Sequence, residues 1–188
     1  MTLVIPNPPA AAEDCFARAM VSLASHPDRP KRNENYEYLP PLRRYVLEEG
    51  AARSGDFRDA EPVGWRYLVR DDNGLMVVDL DDDFDLTYSS VQRGTAAQRY
   101  EAVLRLVDND AREWYEDCGV EVVESPELGA SALVLTVRGI RFLFALTSKG
   151  RFQPGEKLTE EAFYEVVLEP SPPPPRAARP SRDGGLII

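Results

Sequence analysis

The chain has little of the chemistry on which most enzymes and metal proteins depend. Its 188 residues include one histidine, His26, and two cysteines, Cys15 and Cys118. A single histidine excludes metal sites built from several histidines, and it leaves a catalytic triad with no other candidate base of that type. Two cysteines are too few for a disulfide framework, so the composition favours a reducing, cytoplasmic location.

The chain also lacks several sequence signatures of enzymes, and it has no excess of basic residues. The chain contains no Gly-x-Gly-x-x-Gly, no phosphate-binding loop of the Walker type, no Gly-x-Ser-x-Gly and no Cys-x-x-Cys. No apolar run reaches the roughly 18 residues that would span a membrane. Acidic residues outnumber basic ones by 32 to 22, which gives a formal charge of -10 and argues against general nucleic-acid binding. We therefore expect no cofactor, no membrane span and no catalytic or metal-binding residues.

What the chain does have is one strongly apolar stretch, residues 132–146, which predicts two strands joined at Arg138-Gly139. Side chains alternate along a strand, so this turn places six large apolar residues on one face. The predicted cross-strand pairs are Leu133 with Phe144, Leu135 with Phe142, and Val137 with Ile140. Burial of six such side chains contributes on the order of 10–18 kcal/mol before chain entropy is subtracted. We expect the other elements to pack against this hairpin.

A second hairpin is predicted over residues 65–80. Asn73-Gly74 favours a tight turn with positive φ, and a turn there pairs Val69 with Val78. Alternation of apolar and polar residues predicts a third strand over 84–91, which completes a meander.

Apolar spacing of three and four residues predicts four helices. They cover residues 10–25, 41–53, 95–117 and 159–168. Thr95 and Thr159 stand where N-cap residues belong. The long helix also carries Glu101–Arg105 and Asp108–Arg112, which are favourable pairs at i,i+4.

The order of these elements predicts an α+β fold: an antiparallel sheet from two meanders or hairpins, with helices packed on one face. We divide the chain into an N-terminal helical extension and linker (residues 1–40), an α+β domain (41–168) and a Pro-rich extended tail (169–188). The tail carries three arginines and two glycines before Leu186, Ile187 and Ile188. This layout predicts a tethered peptide that reaches a groove on another protein or on a second copy.

An acidic cluster lies between the second and third predicted strands. Asp81, Asp82, Asp83 and Asp85 do not form a calcium loop, because the required glycine and glutamate positions hold Leu86 and Gln92. We therefore predict these four aspartates, together with Leu186, Ile187 and Ile188, as partner-binding residues.

The element order and low pI resemble the small acidic fold shared by type III secretion chaperones and YbjN-type proteins. The resemblance covers about residues 41–168 and rests on the Trp65–Val91 meander, the helix from Thr95, the hairpin at 132–146 and the helix from Thr159. It implies a non-enzymatic, often dimeric protein that binds a protein partner or itself. We expect a cytoplasmic adaptor of chaperone-like type. Two alternatives stay open: a toxin-neutralising (immunity) or other inhibitor protein that uses the acidic surface, and a carboxylate-dependent enzyme of unrecognised type.

Overall fold

The computed structural model describes residues 3–24, 36–48, 50–51, 60–82, 87–114, 117–148 and 151–168, and the statements below concern these residues. They form ten strands and three helices. The strands are β1 (Leu3–Val4), β2 (Glu37–Tyr38), β3 (Leu42–Val46), β4 (Glu61–Asp71), β5 (Gly74–Asp81), β6 (Thr87–Arg93), β7 (Cys118–Ser125), β8 (Ala130–Val137), β9 (Ile140–Ser148) and β10 (Lys157–Thr159). The helices are α1 (Ala10–Ala24), α2 (Thr95–Glu113) and α3 (Glu160–Leu168).

The strands form one mixed sheet rather than the antiparallel sheet expected from the sequence. Its order is β10-β9-β8-β7-β3-β4-β5-β6, with β1 beside β7 and β2 beside β4. Most neighbours are antiparallel, but β3 and β1 each run parallel to β7. After β6 the chain crosses the sheet as α2 and returns as β7, which lies beside β3. This crossover makes β3 and β7 a parallel pair.

The prediction of a helix over residues 41–53 is wrong over residues 42–46, which form β3, while residues 50 and 51 are helical. Leu42 and Arg44 are buried, and they alternate with the less buried Arg43 and Tyr45. β3 pairs with β4 on one side and β7 on the other, so its backbone groups are satisfied by the sheet. Pro41 and the spacing of apolar residues suit a first helical turn equally well, and tertiary pairing decided the outcome.

The two predicted hairpins both form. The β8–β9 register is confirmed, with Leu133 opposite Phe144 and Leu135 opposite Phe142. The β4–β5 register differs by two residues, because the turn lies at Asp72-Asn73 and Val69 faces Met76. Since the shift is two, the predicted face of each side chain is unchanged.

The Asp72-Asn73 turn has a local cause. The backbone N–H of Asn73 donates a 2.8 Å hydrogen bond to Oδ1 of Asp71, which closes the turn one residue early. Gly74 then adopts a φ of 104°, a left-handed conformation that glycine accepts without steric cost.

Helices cover both faces of the sheet, which corrects the expectation of helices on one face. α2 packs through Val103 and Val107 onto the face that carries Leu133 and Leu135. The opposite face is covered by α1 over β4 and β5 and by α3 over β8 and β9. Strands β4, β5, β8 and β9 carry buried apolar residues on both faces, so each face needs a cover.

Segments on both sides of residue 40 pack together. Phe16 of α1 stacks on Tyr67 of β4 with ring centroids 4.1 Å apart. β2 pairs with β4, and Leu3 of β1 lies opposite Cys118 of β7. Helix α1 and strands β1 and β2 are therefore part of the same packed unit as the sheet.

The helix ends agree with the sequence in part. Thr159 caps α3 as predicted, because its Oγ1 accepts a 3.2 Å bond from the N–H of Ala162. α2, however, begins after Gly94 rather than at a Thr95 cap, and it ends at Glu113 rather than near residue 117. The exposed pairs Glu101–Arg105 and Asp108–Arg112 form, at 2.8 and 2.5 Å.

Candidate functional site

A network of charged side chains lies within the sheet face that α2 covers. Arg66 on β4 and Asp79 on β5 are cross-strand partners, with side chains that are 5% and 3% exposed. Arg66 donates from Nε to Oδ1 of Asp79 at 2.7 Å and from Nη2 to Oδ2 at 2.8 Å. This two-pronged geometry is the strongest form of an arginine–carboxylate contact.

Glu124 on β7 joins the two halves of the network. Its Oε1 accepts from Nη2 of Arg66 at 2.7 Å, and its Oε2 accepts from Nη2 of Arg44 at 3.0 Å. Arg44 on β3 also donates from Nη1 to Oδ1 of Asp81 at 2.8 Å. Four strands of the sheet thus contribute to one connected set of ion pairs.

The backbone at Gly64 makes room for this network. Gly64 lies opposite both Arg44 and Asp81 in the sheet. A Cβ at this position would lie 1.8 Å from the carbonyl oxygen of Leu80. Only glycine allows β4 and β5 to approach this closely.

The surroundings keep the two arginines charged. Burial lowers the pKa of Arg66, but the hydrogen bonds and charge of Asp79 and the charge of Glu124 outweigh it, and the pKa is raised. The pKa of Arg44 is raised in the same way: its burial is outweighed by the charges of Asp79 and Glu124. Each carboxylate of the network accepts hydrogen bonds from a permanently charged guanidinium, so this network is suited to holding structure.

A cavity of about 150 Å³ lies beside the network, under the first turn of α2. Its apolar wall is formed by Val77, Ala96 and Leu146. The polar groups around it are Arg66, Gln92, Arg99, Tyr100, Glu124, Ser131 and Thr147. Tyr100 lies over Arg66, with the guanidinium carbon 5.6 Å from the ring centroid.

A second, more open groove of about 210 Å³ is bordered by two large apolar side chains. Tyr38 and Leu39 are each 49% exposed, although both are large and neighbours in sequence. The groove also includes Leu68 and Leu75, and Arg70 and Glu101 form a 2.9 Å ion pair at its wall.

The predicted acidic surface is only partly within the described residues. Asp81 bonds to Arg44, and Asp82 pairs with Arg43, so both carboxylates are taken by arginines of β3. Asp83, Asp85, Leu186, Ile187, Ile188 and His26 lie outside the described residues, and partner binding by the predicted set stays a prediction.

The described residues form neither a metal-binding cluster nor a disulfide. In the part of the chain that the structure describes, no three His, Cys, Asp or Glu side chains are placed to hold a metal ion. Cys15 and Cys118 are buried in different apolar clusters and form no disulfide with each other.

Of the network residues, only Asp81 was predicted from the sequence to have a role, as a partner-binding residue; Arg44, Arg66, Asp79 and Glu124 were not singled out, and neither were the residues of the cavity. One signal of the network was present in the sequence: Arg66 is a charged residue within an apolar strand, between Trp65 and Tyr67. With the turn at Asp72-Asn73, it also follows that Arg66 and Asp79 stand opposite each other. Glu124 and Arg44 carry no such local signal, since they meet only through the parallel β3–β7 pair.

No protein-family model, curated protein or solved structure matches the chain. None of the helices within the described ranges is both long and apolar enough to cross a membrane. The resemblance to secretion chaperones therefore stays a prediction, and the function is argued from the chain's own residues.

Proposed function

We propose that the chain is a non-enzymatic protein-binding protein of the adaptor or chaperone-like kind, acting in the cytoplasm. The observation that carries this proposal is the exposure of Tyr38 and Leu39, each 49%, side by side on the rim of one groove. Exposed apolar residues that cluster at a groove are typical of sites where another chain docks.

The rim of the groove is held in place before any partner arrives. The Tyr38 ring contacts the rings of Phe16 and Tyr67, with centroids 5.0 and 5.9 Å apart. The N–H of Leu39 donates a 3.1 Å hydrogen bond to the carbonyl of Leu68. A rim that is already ordered loses little conformational entropy on binding, which favours affinity.

The lining of the groove suggests what docks there. Leu68 and Leu75 offer apolar contact and Glu37 places a carboxylate at the edge, while Glu101 is already paired with Arg70 and Arg105. We propose that the partner contributes an apolar side chain flanked by basic residues. The tail of a second copy, with three arginines before Leu186, Ile187 and Ile188, has this composition, so homodimerisation is one form of the proposal.

The state of the carboxylates supports a binding role over catalysis. Among the described residues that line the 150 Å³ cavity, Glu124 is the one acid, and both of its oxygens accept bonds from arginines. A general acid or base must lie within hydrogen-bond reach of its substrate, and the bonds to Arg44 and Arg66 hold both Glu124 oxygens towards the network.

Site-specific photo-crosslinking tests the groove. A photo-reactive residue at position 39 should capture a partner or a second copy, while the same residue at Ile140, which is 57% exposed at the start of β9, should not. Leu39→Ser should abolish the complex in light scattering after size exclusion, and Ile140→Ser should leave it intact. Deletion of residues 169–188 distinguishes homodimerisation through the tail from binding of another protein, because only the tail-mediated dimer is lost. A strict monomer with equal crosslinking at both positions would overturn the proposal.

A further inference from the structure

Strand β6 forms one edge of the sheet. It lies at the end of the strand order, and β5 is its one strand neighbour among the described residues. Its seven residues include no proline and no lysine, which are the residues that most often protect an edge from a further strand. The helices α1 and α2 contact β6 from opposite faces of the sheet. The edge between them is a place where another strand can add to the sheet.

The alternation of hydrogen bonds shows which way the backbone groups of β5 point. The N–H of Leu39 bonds to the carbonyl of Leu68, so the backbone groups of Leu68 point away from β5. Those of the next residue, Val69, therefore point towards β5, where Val69 lies opposite Met76. The next residue of β5, Val77, must then direct its N–H and C=O to β6.

The same alternation continues in β6. Val77 lies opposite Gln92, and Asp79 lies opposite Ser90, so Gln92 and Ser90 both use their backbone groups to bond with β5. Val91 lies between them, and its N–H and C=O point outward. Neither group has a backbone partner in the part of the chain that the structure describes. Val91 thus offers one donor and one acceptor to an added strand.

A second copy of β6 matches this edge. In an antiparallel pair with its two-fold axis at Val91, the outward N–H and C=O of Val91 bond to the same two groups of the other copy. Ser90 then lies opposite Gln92 of the other copy, on the face that α2 covers. The Ser90 hydroxyl donates to Asp79 at 3.0 Å, and its oxygen can still accept a bond from the Gln92 amide.

The two ends of β6 differ in charge, which favours a second copy as the added strand. Asp83 and Asp85, which lie outside the described residues, precede β6 in the sequence. After β6 comes the positive end of α2, with no acidic residue in its first turn and with Arg99 close behind. Antiparallel pairing of two copies places the acidic end of one strand beside the positive end of the other.

We propose that β6 is a self-association edge, at which two copies of the chain pair antiparallel and join their sheets. Arg93, at the end of the strand, does not obstruct this pairing, because its guanidinium is bound to Asp71 of the same copy at 3.0 Å. The proposal does not depend on the groove at Tyr38, which is formed by other residues.

Oxidative crosslinking of the full chain tests the predicted two-fold axis. Val91→Cys places two thiols opposite each other, with Cα atoms about 5.5 Å apart, which is within the range of a disulfide. It should give a covalent dimer about tenfold faster, or more, than Ile140→Cys, because pairing raises the effective thiol concentration. Ile140 is a suitable control because it is 57% exposed on another strand. The native Cys15 and Cys118 are both buried.

Light scattering after size exclusion gives a second readout, over chain concentrations of about 1 to 100 μM, where weak dimers dissociate. The measurement uses Leu39→Ser, so that docking in the groove does not contribute. This chain should approach twice its monomer mass of 21.0 kDa as its concentration rises.

A proline at position 91 tests whether the backbone makes the contact. Added to Leu39→Ser, Val91→Pro removes the outward N–H without breaking a bond to β5, and it should raise the Kd of the dimer about tenfold or more. Val91→Ala is the matched control, because it shortens the same side chain and keeps the N–H. Circular dichroism should be the same for both variants, which separates loss of pairing from loss of fold.

Three results would each overturn the proposal. The first is a Leu39→Ser chain that stays monomeric over the whole concentration range. The second is Val91→Cys that crosslinks no faster than Ile140→Cys. The third is equal dimerisation of the Val91→Pro and Val91→Ala variants.

Discussion

Arg66 and Asp79 face each other across β4 and β5 and form two hydrogen bonds of 2.7 and 2.8 Å, in a place from which water is almost excluded. A charge pair at such depth is maintained because each partner would be far costlier alone. Ser90 adds a third bond to the same carboxylate, from Oγ to Oδ2 at 3.0 Å. The pair therefore fixes the register of β4, β5 and β6 together.

Asp79→Asn should lower the free energy of unfolding by about 1.5–3 kcal/mol, because the buried Arg66 would keep only Glu124 as its counter-charge. Urea unfolding followed by circular dichroism measures the change. Asp108→Asn is the control, since Asp108 pairs with Arg112 on the exposed face of α2, and it should cost less than about 0.5 kcal/mol. Equal effects of the two substitutions would show that the buried pair contributes no more than a surface pair.

Gly64→Ala should be strongly destabilising, by about 1–3 kcal/mol or more, because the new methyl group meets the carbonyl oxygen of Leu80. Gly119→Ala is a matched strand control, where the nearest atom to an added Cβ is Cβ of Thr136 at 3.9 Å. Thermal unfolding of the two variants compares them directly. A Gly64→Ala protein as stable as Gly119→Ala would contradict the close approach of β4 and β5.

Glu121 gives a prediction about pH. Burial raises the pKa of Glu121, against a smaller lowering by Arg141. A carboxyl with a raised folded pKa binds more protons in the folded state, so its contribution to stability falls as pH rises through that pKa. Glu121→Gln should therefore stabilise the protein at pH 7, and the gain should shrink as pH falls below the folded pKa. Chemical unfolding at pH 7 and at pH 4 measures this, and a stabilisation that grows on acidification would contradict it.

The acidic cluster separates the two binding hypotheses. Replacement of Asp81, Asp82, Asp83 and Asp85 by Asn should leave capture at position 39 intact if the groove is the docking site. An inhibitor that acts through these acids against a basic target would lose its binding in the same variant. Asp81 supports Arg44, so part of any loss could reflect stability; Asp82→Asn alone, at an exposed pair with Arg43, provides the milder comparison.

Some of the fold follows from local sequence alone. The β8–β9 hairpin, helix α1 and the Thr159 cap were predicted correctly, since apolar periodicity, a two-residue turn and a capping hydroxyl each act within a few residues. The β4–β5 turn was placed one residue late because the bond between Asn73 and the Asp71 side chain is not visible in the Asn-Gly signal. The predicted face of each side chain is still correct, because the register of β4 and β5 shifts by two residues.

What the sequence by itself determined, then, is the set of local elements and the apolar faces that they must bury. Only the tertiary structure decided that residues 42–46 form a strand, that this strand runs parallel to β7, and that helices cover both faces of the sheet. The same is true of the ion network and the cavity, because Arg44 and Glu124 are 80 residues apart in the chain. Arg44 and Glu124 attract each other strongly only after the sheet has formed and removed them from water. No local sequence pattern indicates that two residues so far apart in the chain will meet.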